Sequence, residues 1–188
     1  MVRWEPDSRG RLAQAAMILY GEQGFDRTTV AEIAERAGLT ERTFFRHFTD
    51  KREVLFFGAQ ALQELLVNTV VNAPASTTPI EAVTRALEAA GVLFGERREF
   101  SVQRQRIING SAELQERELI KLAALAAALA DALRQRGVTD PTAALTGEVA
   151  IAIFKTSFER WVTSSEPSDL GQLVRDSLDQ LRVIASAT

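Results

Sequence analysis

Basic side chains are concentrated in eleven residues of the N-terminal part of the chain. They are Arg42, Arg46, His47, Lys51 and Arg52. A guanidinium can donate to two acceptors on the major-groove edge of a guanine. We expect Arg42 to make this contact. The cationic groups that follow it can neutralise phosphates. The cluster therefore indicates contact with DNA, provided that one local element presents these side chains together.

Two short helices joined by a glycine turn are predicted over residues 28–51. The first has apolar residues at the spacing of one helix face, namely Val30, Ile33, Ala34 and Ala37. Thr29 and Glu32 form the pattern of a capping box at its start. Gly38 ends this helix, because glycine takes the left-handed conformation without a Cβ clash. The pattern predicts a helix-turn-helix.

The second helix is predicted to begin after Thr40, which is a favourable N-cap residue. Phe44 and Phe48 lie four residues apart, so we expect both in the core. In a helix-turn-helix the second helix enters the major groove, while free N–H groups at the start of the first helix suit a phosphate. The side chains expected to contact DNA are Thr28, Thr29, Thr40, Glu41, Arg42, Thr43, Phe45, Arg46, His47 and Lys51. For His47 the alternative is an ordinary surface residue.

Several short motifs follow one another in the first third of the chain. They are Gly21 and Gly24 before Phe25, Thr28-Thr29, Ala31-Glu32-Ile33-Ala34, Ala37-Gly38-Leu39, and Thr43 through Phe48 ahead of Lys51. In this order they resemble the N-terminal domain of TetR-type transcriptional repressors. Many members carry a tyrosine where Phe45 stands. Phe45 cannot donate a hydroxyl to phosphate, which leaves contact with a thymine methyl group as its expected role.

Composition predicts an intracellular protein that does not enter a membrane. The chain has 188 residues, a net charge of −3, 46% hydrophobic residues and no cysteine. Its first residues are charged and lack the apolar segment of a secretory signal. The longest run of small apolar residues, 122–130, is too short to span a bilayer. We therefore expect a cytoplasmic location.

Helical patterns continue to the C-terminus, and no strand-like alternation competes with them. A first helix should be capped at Asp7 or Ser8. A capping box of Asp50 and Glu53 should open a long fourth helix. That helix would carry Leu55, Leu62, Leu65, Leu66 and Val70. Later helices are predicted from Thr78, Arg98, Ser111, Asp140-Pro141 and Ser168. The expected fold is all-α with about nine helices. A three-helix DNA-binding domain would occupy residues 1–50, and a helical domain for effector binding and dimerisation would occupy residues 51–188.

The last two helices have apolar faces broader than one neighbouring helix requires. The predicted dimer interface consists of Ile151, Phe158, Val162, Leu170, Leu173, Val174, Leu178 and Leu181. The alternative is that both helices complete a monomeric core. The resemblance implies a homodimer through this pair. Two copies would also place two recognition helices in successive major grooves of a palindromic operator.

The resemblance further implies a C-terminal domain that binds a small ligand. Large apolar side chains interspersed with polar ones predict a pocket lined by Phe94, Phe100, Arg104, Ile107, Ile108, Asn109, Leu125, Phe154, Thr156, Phe158 and Trp161. Ordinary core packing is the alternative for each of them. The ligand would be a small apolar or amphipathic molecule that releases a repressor from DNA.

The sequence contains none of the catalytic or cofactor-binding motifs that would indicate an enzyme. It contains no phosphate-binding glycine loop, dinucleotide fingerprint or paired-histidine zinc motif, and its single histidine has no histidine partner. We expect no cofactor, no metal site and no catalytic residues. The remaining alternatives are a DNA-binding protein without ligand response, a helical adaptor and, least favoured, a small all-α enzyme.

Overall fold

The computed structural model describes residues 8–166 and 168–186, and these residues form helices and connecting turns without a strand. The predicted all-α class with nine α-helices is confirmed for this part of the chain. The helices are α1 Ser8–Gln23, α2 Val30–Arg36, α3 Glu41–His47, α4 Ala59–Val71, α5 Pro79–Gly95, α6 Arg98–Asn109, α7 Ala112–Gln135, α8 Thr142–Thr163 and α9 Leu170–Ser186, with a 3-10 helix at Glu53–Phe56. The predicted cap at Asp7 lies outside the described residues.

Packing divides the chain into two compact units. Among the described residues, unit 1 comprises residues 8–59 and 103–115, and unit 2 comprises residues 60–102, 116–166 and 168–186. This division differs from the predicted domains 1–50 and 51–188. Residues 51–59 and 103–115 pack with the N-terminal helices because Leu55, Ile108 and Leu114 are buried in that core.

Unit 1 is built on the apolar faces that the helical periodicity predicts. Its core side chains include Leu12, Ala16, Met17, Tyr20, Ile33, Ala34, Phe44, Phe48, Val54, Leu55, Phe56, Ile108 and Leu114. The α2 and α3 helices are each only seven residues long, so they depend on this packing rather than on intrinsic helix stability. The core therefore holds the helix-turn-helix in place.

The predicted long fourth helix is wrong at its N-terminal end. The Asp50 carboxylate does accept hydrogen bonds from the backbone N–H groups of Arg52 and Glu53, at 2.8 and 3.3 Å. The turn that follows is the 3-10 helix, and α4 begins only at Ala59. The Leu55 carbonyl accepts a hydrogen bond from Arg104 Nε at 2.7 Å. This contact occupies an oxygen that a continuous α-helix would pair four residues further along.

The stretch Glu53–Val71 is long and apolar enough to cross a membrane, by length and composition alone, with a mean hydropathy of 1.5. In the structure its apolar side chains are shared between two protein cores. Val54 and Leu55 are buried in unit 1, whereas Leu66 and Val70 are buried in unit 2. One such helix is weak evidence for a membrane span.

Unit 2 is centred on α5, α8 and α9, with α4 and α7 completing its core. Two close helix crossings rest on glycine. A Cβ at Gly91 of α5 would lie 2.8 Å from the backbone nitrogen of Gly171 in α9, and a Cβ at Gly147 of α8 would lie 2.5 Å from the Ala126 carbonyl oxygen of α7. No other residue lets these backbones approach as closely.

Helix ends in unit 2 are fixed by local caps and, at the end of α4, by a long-range contact. The predicted capping box of Thr78 and Glu81 is present at the start of α5. The predicted cap of α9 at Ser168 is wrong, because the Asp169 carboxylate accepts the hydrogen bond of the Gln172 N–H at 2.8 Å. Arg136 donates to the carbonyls of Val70, Ala73, Pro74 and Thr77, and so closes the C-terminal end of α4.

Candidate nucleic-acid interface

The α2 helix has the ends that the sequence predicts. The Thr29 hydroxyl accepts from the Glu32 N–H at 3.2 Å, and the Glu32 carboxylate accepts from the Thr29 N–H at 2.7 Å. The hydrogen bonds from Thr29 lower the pKa of Glu32 below its usual value. After α2, Gly38 has a φ of +66° and allows the turn, while Thr40 caps α3 by accepting from the Thr43 N–H at 3.2 Å.

The inner and outer faces of α3 are fixed by its aromatic residues. Phe44 and Phe48 are buried and their ring centroids lie 5.4 Å apart. Phe45 lies on the other side, 56% exposed, with only its contact to the edge of Phe44. Such an exposed aromatic ring is available for apolar contact with a partner.

Arg42 and Arg46 are the cations of this outer face. Both are exposed, and within residues 8–166 and 168–186 neither has a hydrogen-bond or ion-pair partner. Glu41 and Thr40 are exposed beside them, and Thr43 is half-buried with its hydroxyl 3.0 Å from that of Thr40. The face thus offers two guanidinium groups that have no partner in the described part of the chain.

His47 lies at the end of α3 and has a partner within the chain. Its Nε2 atom is 2.8 Å from the Ser8 hydroxyl, which joins the end of α3 to the start of α1. The ring is half-buried. Its predicted phosphate contact stays a prediction.

Two of the predicted DNA contacts point into the protein. Thr28 is 1% exposed, and its hydroxyl donates to the Gly24 carbonyl at 2.8 Å. Lys51 Nζ donates to the carbonyls of Phe25 at 2.8 Å, Thr28 at 2.9 Å and Asp26 at 3.3 Å. An ammonium has three protons to donate, so these carbonyls account for all of them. The geometry does not support either side chain as a phosphate ligand.

Arg52, the last cation of the basic cluster, is also engaged. Its guanidinium bonds the Asp50 carboxylate at 2.7 Å and Glu113 at 2.8 Å. The hydrogen bond from Arg52 holds the pKa of Asp50 below its usual value. Of the arginines and lysines in this cluster, Arg42 and Arg46 on α3 are therefore the two without a partner among the described residues.

Residues that support the helix-turn-helix from a distance were not predicted. The Tyr20 hydroxyl donates to the Lys51 carbonyl at 2.6 Å, and burial raises the pKa of Tyr20. Gln103 Nε2 donates to the Met17 carbonyl at 3.0 Å, and the Arg104 guanidinium lies over the Phe56 ring. These pairs are at least 31 residues apart in sequence, so no local pattern could have indicated them.

The predicted ligand-binding residues are divided between the two units. Arg104, Ile107, Ile108 and Asn109 belong to unit 1, whereas Phe94, Phe100, Leu125, Phe154, Thr156, Phe158 and Trp161 belong to unit 2. In unit 2, the ring centroids of Phe94, Phe154 and Phe158 lie 5.4 to 5.9 Å from one another, and Trp161 continues the cluster at 5.6 Å from Phe158. Thr156 is exposed. The predicted ligand pocket stays a prediction.

An open groove lies elsewhere, on unit 1. It has a volume of about 430 Å³ and is lined by Arg11, Gln14, Ala15, Ile18, Arg36, Ala37 and Gly38. Its two cations are engaged within the chain, because Arg11 donates to the Ala37 carbonyl and Arg36 bonds Glu22 at 2.7 Å. None of the predicted ligand-binding residues lines this groove.

The predicted dimer interface divides into core and partly exposed positions. Ile151, Leu170, Val174 and Leu178 are buried within unit 2, where they are part of the chain's own core. Phe158, Val162, Leu173 and Leu181 are only partly buried. The large apolar side chains exposed on the same two helices are Leu145, Val183 and Ile184.

Curated relatives resemble part of the chain. The HTH-type transcriptional regulator TcmR of Streptomyces glaucescens is 37% identical over 82 residues, which is 44% of this chain and 36% of that protein. An uncharacterized HTH-type transcriptional regulator of Mycobacterium tuberculosis, Rv2250c, is 31% identical over 83 residues, or 44% of this chain and 42% of that protein. The matched part thus spans about two fifths of the length of these relatives.

Solved structures share the fold over nearly the whole chain. FadR of Thermus thermophilus, a TetR family transcriptional repressor solved in complex with lauroyl-CoA, has a TM-score of 0.59 at 23% identity and covers 93% of both chains. SmeT, the repressor of a Stenotrophomonas maltophilia multidrug efflux pump, has a TM-score of 0.60 at 20% identity and covers 94% of this chain and 89% of that chain.

Two family models match separate parts of the sequence. Residues 12–56 match the model for bacterial regulatory proteins of the tetR family, and residues 77–184 match the model for the MftR C-terminal domain. The first match covers the helix-turn-helix, and the second covers more than half of the chain. The chain belongs to the TetR family of bacterial regulatory proteins.

Proposed function

We propose that the protein is a sequence-specific double-stranded DNA-binding transcriptional regulator that acts as a repressor. The observation that carries this proposal is the outer face of α3, where Arg42 and Arg46 are exposed and lack partners among the described residues. Unpaired cations on the second helix of a helix-turn-helix suit the acceptors of the major groove and the phosphates beside it. Family membership favours a regulator over a helical adaptor or an enzyme.

The side chains of α3 divide between base and backbone contacts. Arg42, in the first turn, is positioned to bond the O6 and N7 atoms of a guanine. Arg46 lies one turn further on and suits a phosphate, as do the exposed hydroxyl of Thr40 and the ring of His47. Phe45, which is exposed, suits a thymine methyl group.

A homodimer is the assembly that this function requires, because two recognition helices must reach successive major grooves about 34 to 36 Å apart. Apolar surface on α8 and α9 supports it. Leu145 near the start of α8 is 65% exposed, and Ile184 near the end of α9 is 72% exposed. The two helices pack together and are joined by a short connection, so both residues lie at the same end of the pair.

Release from DNA is proposed to follow binding of a small apolar or amphipathic ligand to unit 2. The aromatic cluster of Phe94, Phe154, Phe158 and Trp161 supports an apolar site there. The ligand would act by binding better to the dimer whose recognition helices are wrongly spaced for the operator. The lauroyl-CoA bound to FadR of T. thermophilus has this amphipathic chemistry. A cytoplasmic location follows from access to DNA.

Selection of operator sequences from a random duplex library tests the DNA-binding role. Wild-type protein should enrich a palindrome, and Arg42→Ala should enrich a palindrome in which one guanine position has become variable. Arg85→Ala, which removes an exposed arginine from α5, is the matched control and should select the wild-type sequence. Failure of wild-type protein to enrich any sequence would refute the proposal. Compounds with an acyl chain can then be screened for release of the selected operator.

A further inference from the structure

We propose that Lys51 is a positioning residue that clamps the connection between α1 and α2, and that it does not bind phosphate. The inference deepens the proposed function and rests on it, because the clamp sets the helix-turn-helix that DNA would meet. Lys51 follows α3 by four residues, and its side chain reaches back to the turn at residues 25–28. It thereby links the two ends of the motif.

The first part of the clamp is the ammonium group. It donates to the carbonyls of Phe25, Asp26 and Thr28 at 2.8, 3.3 and 2.9 Å, and it lies 4.3 Å from the centroid of the Phe25 ring. Of these carbonyls, that of Phe25 also accepts a hydrogen bond from the Thr28 N–H at 3.2 Å. The ammonium thus binds all three of these carbonyls through charge-assisted hydrogen bonds.

The second part is the backbone of the same residue. The Lys51 carbonyl accepts from the Tyr20 hydroxyl at 2.6 Å, and the Tyr20 ring meets the edge of Phe25 at a centroid distance of 5.3 Å. Tyr20 is buried in α1. Lys51 is thus joined to α1 through its carbonyl and to the turn after α1 through its ammonium.

The clamp determines where α2 begins. Thr28, whose carbonyl binds Lys51, is buried, and its hydroxyl is bonded to the Gly24 carbonyl at 2.8 Å. The next residue, Thr29, is the N-cap of α2. Because α2 packs directly on α3, a shift of this turn would tilt the recognition helix. Loss of the clamp would therefore lower the affinity for DNA, although Lys51 itself does not reach the DNA.

Salt dependence separates positioning from phosphate contact. Each phosphate contact contributes a slope of about 0.9 in the plot of log affinity against log salt. With an operator selected from random duplexes, Lys51→Met should weaken binding about tenfold at every salt concentration and leave the slope unchanged. Arg46→Ala, the control for a direct contact, should lower the slope by about 1.8, because the homodimer loses one phosphate contact in each half-site. A loss of about 1.8 in the slope of Lys51→Met would overturn the proposal.

Tyr20→Phe provides a test that does not alter Lys51. It keeps the ring and removes the hydroxyl that holds the Lys51 carbonyl, so binding should weaken by several-fold with an unchanged slope. The double variant Tyr20→Phe/Lys51→Met should lose less than the product of the two single losses, since both act on one clamp. Full wild-type affinity in Tyr20→Phe would contradict the clamp.

Nitrogen-15 NMR of the lysine ammonium groups tests the clamp without DNA. The Nζ protons of Lys51 should exchange slowly with water in the wild-type protein and more rapidly in Tyr20→Phe. Rapid exchange in the wild-type protein would overturn the proposal even if a variant failed to fold. If wild-type protein selects no DNA sequence while these protons remain protected, the proposed function fails and the clamp stands.

Discussion

Replacement of Gly147 by alanine should destabilise unit 2 measurably. A Cβ there would lie 2.5 Å from the Ala126 carbonyl oxygen and 3.3 Å from the Ala130 nitrogen. Both atoms are backbone atoms of α7, so no side-chain rotation can relieve the contact. The helices would have to separate by about 0.9 Å to reach the 3.4 Å of ordinary contact.

Two opposing effects determine the size of the change. Overpacking of a core costs about 1–3 kcal/mol, whereas alanine stabilises a helix interior by about 1 kcal/mol relative to glycine. Steric cost should prevail, because the obstructing atoms belong to a helix backbone. We place the steric cost in the upper part of its range, at about 2–3 kcal/mol, and therefore expect the free energy of unfolding to fall by about 1–2 kcal/mol.

Urea unfolding followed by circular dichroism measures this difference. Gly95→Ala is the matched control, because Gly95 also lies in a helix and a Cβ there meets nothing within 4 Å. That variant should be as stable as the wild type or slightly more stable. A Gly147→Ala protein with wild-type stability would refute the argument that α7 and α8 cross at this glycine.

Three further predictions concern the C-terminal end of α4, an ion pair and the dimer. Arg136→Ala should lower the free energy of unfolding by about 1–3 kcal/mol, because carbonyls at the end of α4 lose their donor; unaltered urea unfolding would contradict this. Asp50 has a lowered pKa, so its contribution to stability is present above the ordinary aspartate pKa and is lost as pH falls through the folded-state value. Asp50→Asn should thus reduce the loss of stability on acidification, and unfolding curves with the wild-type pH dependence would argue against it. Leu145→Glu/Ile184→Glu should sediment as a monomer, whereas Leu119→Glu, at another exposed leucine, should sediment as the wild type does.

Features with a local signal were predicted from the sequence. The capping box of Thr29 and Glu32 and the glycine turn at Gly38 depend on residues three or four positions apart, and the structure contains both. The inward face of α3 follows in the same way from the spacing of Phe44 and Phe48. The family resemblance rests on these motifs, and the match over residues 12–56 confirms it.

Features that depend on distant contacts could not be predicted from a local pattern. Lys51 has the type and position of a phosphate ligand, yet its direction is decided by carbonyls 23 to 26 residues earlier. The interruption before α4 depends on Arg104, 49 residues beyond the carbonyl that it binds. Periodicity showed that Val174 has an apolar environment, but it could not show whether that environment is the same chain or a partner.

The most direct test of the central claim is a double-mutant cycle between Arg42 and a guanine of the selected operator. Replacing that guanine by 7-deazaguanine removes the N7 acceptor. Wild-type protein should lose about 1–3 kcal/mol of binding free energy at one guanine in each half-site. Arg42→Ala protein should show no further loss at that guanine, because the contact is already absent. If Arg42→Ala remains as sensitive as the wild type at every guanine, α3 does not read the major groove through Arg42.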